Sequence, residues 1–143
     1  VGRIEQRRRI VFSLRGNHNL SAAFPFRSID HVQLAMPRGE EQQARVFYQE
    51  CLGLSEVPKP PHLLKRGGIW FQSGEVVVHL GIDANFRPAT KAHPAFRCTD
   101  YADLLKRLDV RGVPVAHDDQ LFGGKAHCYI TDPFGNRIEL IAE

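Results

Sequence analysis

The sequence predicts an α+β fold: two paired βαβββ modules forming a curved, cup-shaped mixed sheet with helices outside. Three observations predict it. The stretch Ile29-Asp30-His31-Val32-Gln33-Leu34 is echoed by Ala92-His93-Pro94-Ala95-Phe96, and Val76-Val77-Val78-His79-Leu80 is echoed by Arg137-Ile138-Glu139-Leu140. The spacings agree, with His31 to His93 covering 62 residues and His79 to Glu139 covering 60. Between these landmarks each copy reads as strand, helix and three strands.

In the first copy, His31 to Met36 alternates as a strand does, and Pro37 ends it. Arg38 to Leu52 places Ala44, Phe47, Tyr48 and Cys51 on one helical face, with Gly53 as the stop. Leu54 to Val57 is a short strand, and Pro58-Lys59-Pro60-Pro61 forces an extended loop. Ile69 to Gln72 and Val76 to Leu80 are strands separated by Ser73-Gly74.

Residues 83–91 read as a linker, so the modules span 28–82 and 92–143, together one domain of 28–143. In the second module Ala92 to Cys98 is a strand, and Asp100 to Arg111 a helix with Asp100 as its expected cap. Leu104, Leu105 and Leu108 form its buried face, and Gly112 ends it. Val113 to His117 reads as a strand and Leu121-Phe122-Gly123-Gly124 as a loop. Ala126 to Thr131 and Arg137 to Ile141 are the last strands, joined by the turn Asp132-Pro133-Phe134-Gly135-Asn136. Gly67-Gly68 and Gly123-Gly124 precede the third strand of each copy.

Composition narrows the function classes. The chain has 143 residues and ordinary fractions of apolar (43%) and charged (24%) side chains, which suits one globular domain. No apolar run is long enough to span a membrane. Three scattered cysteines (Cys51, Cys98, Cys128) form neither a disulfide framework nor a CxxC site, so a cytoplasmic setting is expected. Cys98 and Cys128 read as small buried residues.

The net charge of +3 comes from the N-terminal arm, 1–27, whose residues 1–25 carry Arg3, Arg7, Arg8, Arg9 and Arg15 against Glu5. Residues 26–143 are slightly acidic. Nucleic-acid binding is therefore not expected of the body, and the arm reads as an extension.

The matched ends of the two copies carry the candidate chemistry. Two imidazoles and a carboxylate suit a divalent first-row metal with open coordination positions. His31, His93 and Glu139 supply that set, and His79 is a fourth candidate. His127 and Tyr129, two apart on one strand, share a face and are candidate substrate contacts, as are Trp70 and Phe122. His117, His18 and His62 read as loop residues, and the Asp132–Asn136 stretch as turn geometry rather than catalysis.

Four segments carry a family resemblance: Asp30-His31-Val32, Phe47-Tyr48-Gln49-Glu50-Cys51-Leu52-Gly53-Leu54, His93-Pro94-Ala95-Phe96 and the run from Tyr129 to Leu140. In these the chain resembles the vicinal oxygen chelate superfamily of glyoxalases, bleomycin-resistance proteins and extradiol dioxygenases. The resemblance implies one divalent metal (Zn, Ni, Mn or Fe(II)) held by His31, His79, His93 and Glu139, and a homodimer. It implies a small substrate that chelates the metal through neighbouring oxygens, with lyase or isomerase chemistry and Glu139 as catalytic proton carrier. His79 departs from the Glu or Gln usual at its position in glyoxalase-like members.

Two alternatives stand beside this expectation: an extradiol-type Fe(II) dioxygenase and a metal-free, ligand-sequestering protein of the bleomycin-resistance type. Extradiol members are mostly much longer, and a fourth ligand at His79 would crowd their oxygen site. Sequestering members generally lack the ligand set. Fosfomycin-type thiol transfer is disfavoured because Gln33 stands where those enzymes have Thr.

Overall fold

The structure, a computed structural model, describes residues 25–143. The arm's arginines and His18 lie outside the described residues, so expectations about them have no structural counterpart here.

Eight strands form two four-stranded mixed sheets of the α+β class. The first holds β1 (Val32–Met36), β2 (Ser55–Val57), β3 (Ile69–Ser73) and β4 (Val76–Ile82) in the order β1-β4-β3-β2. The second holds β5 (Ala95–Cys98), β6 (Ala116–Phe122), β7 (Lys125–Thr131) and β8 (Arg137–Ala142) in the order β5-β8-β7-β6. In each sheet the opening strand runs parallel to the closing one and the other pairings are antiparallel. That topology follows from placing a helix between the first and second strands.

The first helix, α1, opens as one α turn at Glu41–Ala44 and continues as a π-helix over Arg45–Cys51. Ala44, Phe47, Tyr48 and Cys51 are all buried, as their spacing predicts. The second, α2 (Tyr101–Val110), buries Leu108. Burying each large side chain contributes about 2 kcal/mol. These residues join Leu34, Met36, Phe71, Val78 and Leu80 of one sheet, and Cys128, Ile130, Ile138 and Leu140 of the other, in one core cluster. The alternate residues of every strand therefore face away from that core, on two open sheet faces.

The turn between β7 and β8 is tied to the first module. Asp132 accepts the Tyr48 hydroxyl at 2.8 Å and the Asn136 side-chain amide at 2.8 Å. Asn136 also donates to the carbonyl of Ala35 at 2.9 Å and accepts from the Ala89 amide at 3.0 Å. Both side chains are buried, and every partner is satisfied. Burial and the Asp132 carboxylate push the Tyr48 hydroxyl well above its ordinary pKa.

Five expectations are corrected. The strand expected at Val113 to His117 is β6, Ala116–Phe122. Leu121 and Phe122 belong to it, because Phe122 pairs with Lys125 around Gly123-Gly124. Both glycines have positive φ (58° and 80°), which closes a two-residue hairpin where a loop was expected. His117 accordingly sits on a strand, and His62 lies in a 3-10 helix, Pro61–Arg66, which follows the proline run. Asp100 stands at the start of α2, but its side chain makes no capping hydrogen bond.

Candidate functional site

The two open faces carry the same pattern. In the first sheet His79 pairs with Gln33 on β1 and with Trp70 on β3. In the second, Glu139 pairs with Ala95 on β5 and with Tyr129 on β7. His31 stands two residues before Gln33, and His93 two before Ala95. The register thus makes His31 equivalent to His93, His79 to Glu139, and Trp70 to Tyr129.

On the first face three rings stack. His79 lies between His31 (centroids 3.9 Å apart) and Trp70 (3.8 Å, within 5° of parallel). Desolvation, and then the neighbouring His31, lower the pKa of His79, which keeps the ring neutral and fit to ligate. His31 Nδ1 is 2.7 Å from Asp30 Oδ1. The carboxylate accepts, so Nδ1 carries the hydrogen and Nε2 lies outside that bond. A carboxylate in that position is how ligating histidines are commonly oriented.

On the second face Glu139 lies between two imidazoles. His127 Nδ1 is 2.8 Å from its Oε1, and His93 Nε2 is 3.2 Å from its Oε2. His93 Nδ1 donates to the carbonyl of Lys91 at 2.8 Å, which leaves Nε2 as the nitrogen turned to Glu139. Nε2 and Oε2 therefore face one another. A shared cation or proton links them. His127 Nε2 donates to the Gln120 carbonyl at 3.0 Å, which fixes that ring beside Glu139. His127 is buried, so it holds the carboxylate rather than facing open space.

The remaining candidates frame these groups. Tyr129 meets both His93 and His127 edge-on at 5.6 Å, and the Arg137 guanidinium lies 3.8 Å above its ring. Phe122, 60% exposed at the end of β6, leans on His127 at 5.9 Å. The three thiols are held above their ordinary pKa, chiefly by burial, so none is activated as a nucleophile.

The four expected ligands form two pairs, His31 with His79 and His93 with Glu139. Among the described residues no group of three or more His, Cys, Asp or Glu is arranged to hold a metal ion within one chain. The cause is the shared core, which turns the two open faces away from it. Sequence reasoning missed Asp30, Gln120 and Arg137. Arg137 was within reach, since it stands two residues before Glu139 and so shares its face. The Gln120 contact uses a backbone carbonyl, which leaves no mark on the sequence.

Residues 28–140 match the family model of the Glyoxalase/Bleomycin resistance protein/Dioxygenase superfamily. The chain belongs to this superfamily. Among solved structures it is 43% identical to a protein assigned to the glyoxalase family from Bacillus anthracis (TM-score 0.79, covering 82% of this chain and 96% of that one). Lactoylglutathione lyase from Agrobacterium tumefaciens is 24% identical (TM-score 0.64, 83% and 96%). The fosfomycin resistance protein FosX from Listeria monocytogenes is 16% identical (TM-score 0.65, 82% and 94%). At such identities the last two share the fold alone. Comparison with curated proteins gives no match. No helix among the described residues is long and apolar enough to cross a membrane.

Proposed function

We propose that this superfamily member is a divalent-metal-dependent enzyme whose metal site is assembled between two copies of the chain. In this reading, His31 and His79 of one copy and His93 and Glu139 of the other are the ligands. The substrate is a small molecule that chelates through neighbouring oxygens, and the chemistry is of lyase or isomerase type. The observation that carries the reading is the pairing of two groups able to ligate a metal, His93 Nε2 and Glu139 Oε2 at 3.2 Å, on a face whose equivalent presents two more imidazoles. The same reading takes the chain to be a homodimer. Bringing the first face of one copy against the second face of another completes the set and covers Phe122 and both open faces.

The donor chemistry fits a borderline divalent ion. Such an ion supplies Lewis-acid polarisation of a chelated carbonyl. The chain's own residues do the rest. Glu139 Oε2 moves the substrate proton, while His127 holds Oε1 and fixes the carboxylate's plane. Asp30 and the Lys91 carbonyl hold His31 and His93 in the tautomer that leaves Nε2 free. Trp70 and Tyr129 flank the ligands as apolar walls. A fourth protein ligand at His79 would crowd the site at which an extradiol enzyme takes up dioxygen. That crowding favours lyase or isomerase chemistry over extradiol cleavage.

The test is metal content and mass in solution, followed by complementation. A chain carrying His31→Ala and His79→Ala, and one carrying His93→Ala and Glu139→Ala, each lose the metal as homodimers. Co-expressed with different affinity tags and purified through both, they give a heterodimer in which one of two sites keeps all four ligands, so that species holds half the wild-type metal. A heterodimer without metal, or a wild-type monomer that holds a full complement, would sink the reading.

A further inference from the structure

We propose that Arg137, stacked on Tyr129 beside Glu139, receives an anionic group of the substrate, so that the substrate class is a chelating compound bearing a separate carboxylate. This inference rests on the function proposed above. The guanidinium carbon lies 3.8 Å from the Tyr129 ring centroid. Stacking fixes the plane of the guanidinium and leaves its N–H edge free to grip an oxyanion in two-point fashion.

Arg137 is half-buried, yet among the described residues it makes no ion pair with a carboxylate. A cation in that position lacks the partner that such groups ordinarily have. Glu139 does not serve, because its two oxygens are engaged by His127 and His93. Nor is the space filled. A groove of about 380 Å³ is lined by Thr90, Ala116, Tyr129, Thr131 and Arg137. Thr131 is the cross-strand neighbour of Arg137.

The placement sets a distance and a direction. Arg137 precedes Glu139 by two residues on one strand, a separation of about 7 Å along the face. An anion at Arg137 is then a few bonds from oxygens that chelate beside Glu139. The equivalent residue in the first sheet is Val77, which pairs with Gln72 as Arg137 pairs with Thr131. The matched position of the first sheet is thus apolar where the second is cationic, and an asymmetric substrate enters in one orientation.

Two probes that share a 2-oxo acid head and differ in a distal carboxylate test this: 2-oxoglutarate and 2-oxopentanoate. Titration calorimetry with the metal-loaded protein, with metal content measured on the same sample, is expected to show 2-oxoglutarate binding about tenfold tighter or more. Arg137→Met, which keeps an unbranched chain on the Tyr129 ring, brings the ratio of affinities close to one, and Arg137→Lys restores part of it. A thermal melt of each variant checks folding. Metal held with no preference between the probes, or a preference that survives Arg137→Met, overturns this inference and leaves the proposed function standing. Absence of metal from the wild-type protein overturns both.

Discussion

The two sheets use one register for different chemistry. In the first, His31, His79 and Trp70 form a stack of rings; in the second, His93, Glu139 and Tyr129 take the same places, with a carboxylate at the centre. The largest difference is His127. Its counterpart position, reached by extending β3 one residue back, is Gly68. There φ is +77°, and a Cβ would lie 2.2 Å from the carbonyl oxygen of Leu80. No ring can stand there, so only the second sheet can hold a buried imidazole against its closing-strand ligand. Duplication supplied two equal frames, and the backbone at one residue decided which could hold a buried imidazole against the closing strand.

The strongest way to break this asymmetry is Glu139→Gln, which leaves an isosteric amide between His93 and His127. Turnover is expected to fall by about 10²- to 10⁴-fold, while the fold is retained, as single-turnover assays and near-UV circular dichroism would record. A smaller effect tests the backbone account. Gly68→Ala meets both a left-handed φ and a backbone clash and should cost about 3 kcal/mol in urea unfolding. Gly123→Ala, at φ +58° with nothing within 4 Å, should cost about 1 kcal/mol. Equal losses at both would count against that account.

Tyr48→Phe then tests the tie between the modules. It removes the 2.8 Å bond to Asp132 but leaves Asn136 bonded to the same carboxylate, so about 1 kcal/mol is expected in thermal or urea melts. The smallest effect concerns Arg45 and Glu56. The Arg45 hydrogen bonds hold the Glu56 carboxyl below its ordinary value of 4.5. A lowered folded-state pKa stabilises the protein above the unfolded value, and that gain is lost as the pH falls through the folded value. Both groups are well exposed, so the difference between wild type and Glu56→Gln should be a few tenths of a kcal/mol near neutral pH, shrinking in acid and in salt.

Periodicity in the chain was enough for the α+β class, the repeat and the core face of the first helix, because apolar residues recur at the spacing that burial requires. Alternation within strands likewise put His127 beside Tyr129 and sent Cys128 to the opposite face. The hairpin at Gly123-Gly124 was not legible, since a diglycine permits either a loop or a two-residue turn until the partner strand is in register. The same limit applied to Asp132 and Asn136. Their spacing announces a turn, but the bonds to Tyr48 and Ala35 join residues 84 and 101 positions apart.

For the site, the amino-acid order alone determined which side chains can donate to a metal and that they occupy matched places in a duplication. Only the tertiary structure decided how they are grouped. Inner faces of both sheets bury their apolar side chains in one core, and that burial turns the outer faces apart, so His31 meets His79 while His93 meets Glu139. Which face points where depends on how helices and sheets pack, and no local sequence pattern encodes it.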